Sequence, residues 1–330
     1  MVTTPHLTVV MPAHNTEQYI RAAISSILNQ TFTDFELWVL ENGSNDRTAE
    51  IAEAFTDPRV KVFRLGNIGF QGALSYALTH CKSDWIARMD SDDICLPERL
   101  ETQMKIVGNN SRYVMAGTGF AILTPFNHVI EKPNRVTSRE FDKTSIAVGG
   151  HRDDRPNGRV CADASMVFSR RVALEVGGYD PAFRMGDVPL WLRMLNGRKG
   201  WETAEPLYLY RLLPKSFSGT HTEGICARVK YAPETLDDFL TFYPQLRDNE
   251  APKAPPNSNF WRHIGFMELL AGDKGAILTS ADNLELAGNR RSAMLLRMRA
   301  LTGKIGQTYY SRKWKHKYRH RPDLEEYLLN

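Results

Sequence analysis

Leu7-Thr8-Val9-Val10-Met11 is an apolar, β-branched run that Pro12 stops, the pattern of a buried parallel strand. It opens an alternation that constrains the fold more than any other feature of the chain. Glu17 to Gln30 follows at helical spacing, with Ile20, Ala23, Ile24 and Ile27 on one face. Phe35 to Leu40 is the next strand. It ends in Glu41-Asn42-Gly43-Ser44-Asn45-Asp46, a polar turn that also caps a helix over Thr48 to Phe55. Val60 to Arg64 is a third strand, and after Asn67-Ile68-Gly69 a helix runs through Ala73, Leu74, Ala77 and Leu78. Trp85 to Met89 is a fourth strand. Strand and helix alternating at this spacing predict a parallel, doubly wound α/β sheet with right-handed crossovers. Three strand ends carry polar loops, at His14-Asn15, Glu41-Asn42 and Asp90 to Asp93. In such a sheet these loops share one edge and can converge on one ligand.

The fourth strand ends in Asp90-Ser91-Asp92-Asp93. Unpaired carboxylates this close repel one another, and burying them costs several kcal/mol. A divalent cation answers that repulsion, and all-oxygen ligands favour Mg²⁺ or Mn²⁺ over Zn²⁺. The plainer alternative is a solvated acidic turn capping a helix that begins near Pro97. A calcium loop is excluded, because Ile94 and Cys95 stand where an oxygen ligand and a glycine are needed.

Farther on, Val114 to Leu123 and Val160 to Arg170 have strand character, Arg171 to Val176 that of a short helix, and Thr144 to Arg159 that of a loop. Gly177-Gly178-Tyr179-Asp180 is a turn. Leu190, Trp191, Met194 and Leu195 make an apolar helical face, and Leu207 to Leu213 a late strand. Pro252-Lys253-Ala254-Pro255-Pro256 reads as a linker to amphipathic helices at Phe260 to Leu270, Ala276 to Ala287 and Arg291 to Leu301. From Arg290 through Arg321 there is no acidic residue, and Lys and Arg interleave with Tyr309, Tyr310, Trp314 and Tyr318. That tail suits a solvated helix face or an anionic membrane surface.

With 330 residues, 42% of them hydrophobic, the chain can form a large domain with an appendage. The net charge of +4 is too small to mark a nucleic-acid binder, and no nucleic-acid partner is expected. Cys81, Cys95, Cys161 and Cys226 form no C-x-x-C pair, which suggests a reducing compartment. There is no signal-peptide pattern at Met1 to His6 and no apolar run of the ~20 residues that a membrane span needs. A cytoplasmic protein is expected, with peripheral attachment to the inner face of a membrane open.

Taken together, Val10 to Asn15, Ser25 to Phe32, Asp34 to Leu37, Asn42 to Asp46, Asn67 to Gly69 and Ala87 to Asp93 resemble the family 2 glycosyltransferases of the GT-A fold. The resemblance resumes at Ser165 to Phe168, Val176 to Asp180 and Gly186 to Arg193, so it covers roughly Leu7 to Ser218. It implies a mixed, mainly parallel GT-A sheet flanked by helices over residues 1–218, with a helical C-terminal region at 219–330. It implies an inverting glycosyltransferase that takes its donor from a nucleotide-diphosphate sugar, with a UDP-sugar expected. The acceptor would be a hydroxyl of a glycan or lipid-linked molecule in cell-surface polysaccharide or lipopolysaccharide synthesis. Donor contacts fall on Pro12, His14, Asn15, Asn42, Asn67, Gly69, Arg88, Asp90, Ser91 and Asp92. One of Asp92 and Asp93 binds Mn²⁺ or Mg²⁺, another carboxylate reaches the ribose, and Asp187 is the catalytic base.

The chain departs from the family pattern at five places, one of them Asp163, which replaces a histidine upstream of the Ser165 to Phe168 match. His14 stands where a Tyr is usual, and Asn42 where Asp is frequent. Gly186 replaces a frequent Glu before the base. Leu213 replaces a histidine, leaving Arg211 or Lys215 to supply charge. These changes keep open a non-catalytic nucleotide-binding scaffold of the same fold. A nucleotidyltransferase is the other alternative, but Pro12-Ala13-His14-Asn15 is not the Gly-rich, Lys-bearing loop it needs.

Overall fold

The computed structural model describes residues 6–131, 138–143, 163–180, 187–213, 261–262, 264–265, 268–269, 272–301 and 319–320. The loop expected at Thr144 to Arg159, Gly186, Lys215, the linker at Pro252 to Pro256 and most of the basic aromatic tail lie outside them. The chain divides into two compact units, neither of them one continuous stretch. The first takes residues 1–120, 136–208 and 228–249, and the second 121–135, 209–227 and 250–330.

The first unit is built on a mixed sheet. Strand β1 (Leu7–Ala13) pairs in parallel with β2 (Phe35–Glu41), and β2 with β3 (Val60–Arg64). On its other side β1 pairs in parallel with β4 (Trp85–Arg88), with Val10 opposite Arg88. Every residue of β1 and β2 is buried, which is why both read as continuous apolar runs. Helix α1 (Ile20–Leu28) buries Ile20, Ala23, Ile24 and Ile27, the face its spacing predicts. It is shorter than Glu17 to Gln30; residues 17–19 form a turn in which the Thr16 carbonyl takes the Tyr19 and Ile20 amides. Helices α2 (Thr48–Glu53) and α3 (Gly69–His80) complete the crossovers.

After β4 come β5 (Ile94–Cys95), α4 (Arg99–Asn109) and β6 (Tyr113–Leu123), whose residues from Ala121 on belong to the second unit. Strands β7 (Val129–Glu131) and β8 (Arg139–Phe141) follow, and then a 3₁₀ turn at Asp163–Ser165. Strand β9 (Val167–Ser169) runs antiparallel to both β4 and β6. Among the described residues of the expected Val160 to Arg170 strand, these three form the strand. Just before them the Ser165 carbonyl is taken by the Gln103 amide, at 2.7 Å, instead of by a ladder. Helix α5 (Arg170–Glu175) is capped by Ser169. Helix α6 (Asp187–Met194) buries Leu190, Trp191 and Met194, and Trp191 meets Phe168 edge-on at 4.9 Å.

Strand β10 (Lys199–Arg211) begins eight residues before the expected Leu207. Its first half is masked in the sequence by Gly200, Glu202 and Pro206, residues that weaken a strand reading. Contact explains them. Gly200 lies under Phe141 of β8, where a Cβ would sit 2.4 Å from the ring. Glu202 is fully buried but paired with Arg139 at 2.7 Å.

In the second unit Ile122 and Leu123 pair with Ile130 and Val129, and Asn127 makes the turn at φ 66°. Arg319–His320 forms a short strand, β11, on β7. Residues 261–262, 264–265 and 268–269 are helical. Helix α7 (Lys274–Leu286) is capped by Asp273, and α8 (Arg290–Leu301) follows across Gly288. The two bury Ala276, Ile277, Ala281 and Leu284 with Ala293, Leu296 and Ala300. Among the described residues no helix is long and apolar enough to cross a membrane.

Candidate active site

Loops from three parallel strands are tied together at the carboxyl edge of the first unit's sheet. The Asn42 amide donates to the Ala13 carbonyl at 2.9 Å. His14 Nδ1 lies 3.1 Å from the Asn42 carbonyl and Nε2 lies 3.2 Å from Asn15 Nδ2. Since a carbonyl only accepts, Nδ1 carries the proton and Nε2 accepts, the neutral tautomer. Both nitrogens are thus engaged, and this exposed ring has its faces to offer. Asn15, at φ 54°, accepts the Asn45 amide on Oδ1 at 2.9 Å and donates its own amide to Ser44. Asp46 accepts the Thr48 and Glu17 amides.

Asn42 is buried, and its Oδ1 accepts the Ile68 amide at 3.0 Å. That bond joins the loop after β2 to Asn67-Ile68-Gly69 after β3. It also occupies one lone pair of the carbonyl expected to read a base. Gly43 is required here: its φ is +75°, and a Cβ would lie 2.9 Å from the Asn67 nitrogen. Gly69 also has a positive φ, 77°, and Asn67 is exposed beside it. Pro12 is buried at the end of β1.

Beside β1, the Met89 amide donates to the Val10 carbonyl, and the chain then leaves the sheet at Asp90. Arg88 is buried at the end of β4 and bridges two carboxylates. Its Nη2 donates to Asp90 Oδ1 at 3.0 Å and to Asp187 Oδ2 at 3.4 Å, and its Nε donates to Asp187 Oδ1 at 3.2 Å. The Phe70 ring covers the guanidinium at 5.3 Å. Burial disfavours the Arg88 charge, but Asp187 and then Asp90 outweigh it and hold its pKa above the ordinary value. The Tyr179 hydroxyl also donates to Asp187 Oδ1, at 3.5 Å. The expected base and the first aspartate of the cluster, 97 positions apart in sequence, are therefore held by one cation.

The cluster itself divides. The Asp90 side chain is 32% exposed, whereas Asp93 is 1% exposed and accepts the Tyr208 hydroxyl on Oδ2 at 2.6 Å. The Asp90 amide lies 3.3 Å from the same hydroxyl oxygen. Burial first, then Asp93 and Asp90, push the Tyr208 pKa well above its ordinary value, so Tyr208 stays a proton donor. Arg99 stands under the Tyr208 ring at 5.1 Å and donates to the Arg88 carbonyl at 2.6 Å. Asp92 is half-buried and Ser91 buried.

No three His, Cys, Asp or Glu side chains among the described residues converge into a protein-only cation cage. Mg²⁺ and Mn²⁺ are usually held by one or two carboxylates, with phosphate and water supplying the remaining oxygens. Asp90 and Asp92 fit that oxygen-only donor set. Asp93, expected as a candidate ligand, is turned to Tyr208 by its hydrogen bond. Of the residues offered to replace the missing histidine, Arg211 donates to Asn127 at 2.6 Å within the second unit, and Lys215 lies outside the described residues.

Residues 8–177 match the family described as Glycosyl transferase family 2, over half of the chain. The chain belongs to glycosyl transferase family 2. It is 35% identical over 244 residues to the O-antigen biosynthesis glycosyltransferase WbnJ of Escherichia coli, covering 71% of this chain and 89% of that protein. It is 36% identical over 112 residues to the E. coli UDP-Glc:alpha-D-GlcNAc-diphosphoundecaprenol beta-1,3-glucosyltransferase WfgD, covering 34% of this chain and 44% of that one. The crystal structure of S. aureus TarS 1-349 in complex with UDP-GlcNAc has the same fold, with a TM-score of 0.54 at 14% identity, over 89% of this chain and 90% of that chain. This family 2 glycosyltransferase is therefore an enzyme of the transferase class, with a GT-A fold and relatives in polysaccharide synthesis.

Four residues of the site were not singled out in the sequence. Tyr179 and Tyr208 bind the carboxylates, Phe70 covers Arg88, and Arg99 supports the Arg88 carbonyl. Two of them had a pointer, Tyr179 within the Val176 to Asp180 match and Tyr208 through the strand pattern leading to Tyr210-Arg211.

Proposed function

We propose that this family 2 glycosyltransferase moves a sugar from a UDP-sugar to a hydroxyl of a glycan or lipid-linked acceptor, with inversion. The bridging of Asp187 and Asp90 by Arg88 carries this reading. It sets a base position beside a diphosphate and ribose position on one rigid group. Asp187 takes the proton of the acceptor hydroxyl as that oxygen attacks the anomeric carbon, and the bond to the donor phosphate breaks in the same displacement. Arg88 and Tyr179 orient the Asp187 carboxylate. The His14 face stacks on the base, and Asn42, Asn67 and Gly69 line it. Asp90 takes the ribose, with Pro12, Asn15 and Ser91 shaping the pocket around it.

Asp92 would hold Mn²⁺ or Mg²⁺, and such an ion would supply Lewis-acid stabilisation of the departing charge. Asp93 positions Asp90 and Asp92 through Tyr208. The UDP-Glc that WfgD is named for and the UDP-GlcNAc bound to TarS support uridine, and WbnJ supports an O-antigen type of glycan.

The test is a screen of nucleotide sugars for Mn²⁺-dependent hydrolysis, followed by Asp187→Asn with the active donor. The variant is expected to keep donor affinity and lose about 10²-fold or more in transfer. Near-normal turnover would remove Asp187 from the mechanism. A screen with no donor turned over would leave the scaffold reading instead.

A further inference from the structure

Helix α8 is apolar on two opposite sides. Ala293, Leu296 and Ala300 are buried, with Leu296 against Gly265. Met294, Met298 and Leu301 follow one another at i, i+4, i+7 on the other side and are 63%, 52% and 75% exposed. Leu295 and, at the end of α7, Leu286 are exposed as well. Five of the eight exposed large apolar side chains among the described residues lie in these 16 positions, 286–301. Arg290 and Arg291 border the stripe, while Arg297 is turned back to Asp282 at 2.7 Å. No acidic residue occurs from Arg290 through Arg321.

A surface helix in a globular protein needs one apolar face, so the second face of α8 is surplus to folding. Its chemistry indicates the occupant. Flexible Met and Leu side chains flanked by the Arg290 and Arg291 guanidinium groups match an anionic lipid interface, and the α7 carboxylates that meet this helix, Asp282 and Glu285, are paired with Arg297. Apolar groups enter the acyl boundary there while cations stay at the headgroups. A protein partner of fixed shape would gain its specificity from charges of both signs, and α8 itself carries one sign.

We propose that the Met294, Met298 and Leu301 face of α8 docks this enzyme on an anionic membrane leaflet, lying in the interface and not spanning it. The docking stands whether the acceptor is a soluble glycan or a lipid-linked one.

The test is flotation of the full chain with vesicles of phosphatidylglycerol and phosphatidylethanolamine, against pure phosphatidylcholine, at about 0.1 M salt. Binding is expected on the anionic vesicles only. Met294→Ser/Met298→Ser/Leu301→Ser is expected to lower it by about tenfold or more, with melting temperature and lipid-free donor hydrolysis unchanged. Arg290→Gln/Arg291→Gln is expected to weaken it and reduce its salt dependence. Three results would overturn the proposal: absence of flotation, a triple variant that floats like the parent, or a lipid-free dimer of the parent that the triple variant abolishes. The last would assign the stripe to a second copy of the chain.

Discussion

Arg88 carries more of the site than any other side chain, because it is a buried cation with two carboxylates on different elements. Removing one member of a buried ion pair leaves the other charge uncompensated, at a cost of about 3 kcal/mol or more. Asp90 and Asp187 retain some access to water, so the lower end of that range applies. Arg88→Met is expected to lower unfolding stability by about 3 kcal/mol in urea titrations. Arg88→Lys should recover only part of it, since one ammonium cannot reproduce the three carboxylate contacts of the guanidinium. Tyr208→Phe makes a separate prediction. It leaves the buried Asp93 carboxylate without its 2.6 Å donor, a loss of about 1–3 kcal/mol. If Asp93 positions its neighbours through Tyr208, the variant also raises the Mn²⁺ concentration needed for half-maximal activity. An unchanged Mn²⁺ requirement would assign the pair to stability alone. Of these residues, the aspartates were legible in the sequence because clustered carboxylates are costly without a purpose. Tyr208 and Phe70 were not, because each reaches the site singly from an element whose local pattern serves the core, and Tyr179 was read only as part of a turn that its glycines explain locally.

At the scale of elements, the loops after β1 and β2 form one unit stitched by side chains. Burial pushes the Asp46 carboxyl up, but hydrogen bonds from the Thr48 hydroxyl and from the Thr48 and Glu17 amides outweigh it and leave the pKa below its ordinary value. A depressed folded pKa means that the bonds stabilise fully above the unfolded value and are lost as pH falls through the folded one. Asp46→Ala is therefore expected to cost about 1 kcal/mol near neutrality. The difference from the parent should shrink as pH drops below about 4, read from urea midpoints along a pH series. Gly43→Ala attacks the same loops sterically, since its Cβ would press on the Asn67 backbone. A loss of about 1–2 kcal/mol is expected, with donor KM rising more than kcat falls. Strands β1, β2 and β4 were legible because parallel strands covered on both faces read as continuous apolar runs, and β3, half-buried at the end of the sheet, because its apolar and charged residues interleave. Strand β10 was half hidden, and β5 was missed. In both, long-range contacts supply what the local pattern lacks: Phe141 over Gly200, Arg139 on Glu202, and Leu207 accepting the Leu96 amide at 3.0 Å.

For the whole molecule, the parts expected to meet the donor all belong to the first unit, although they come from positions 12 to 187. Such a site is assembled only in the folded chain, so donor binding must stabilise the fold by mass action. At a hundredfold excess over Kd the gain is about 2.7 kcal/mol. The cation adds a second condition. Asp92 alone, with Asp90 given to the ribose, provides few oxygens for an ion that wants six, and a diphosphate would provide more. Mn²⁺ alone and UDP-sugar with a chelator are thus each expected to move the thermal midpoint little. Together they should move it by more than the sum. Asp92→Asn should abolish that excess while keeping the shift with chelated donor, whereas His14→Ala should reduce both by removing the stacking face. Equal stabilisation by the donor with and without Mn²⁺ would leave Arg88 and its neighbours to bind the diphosphate without an ion, and the role given to Asp92 would fall.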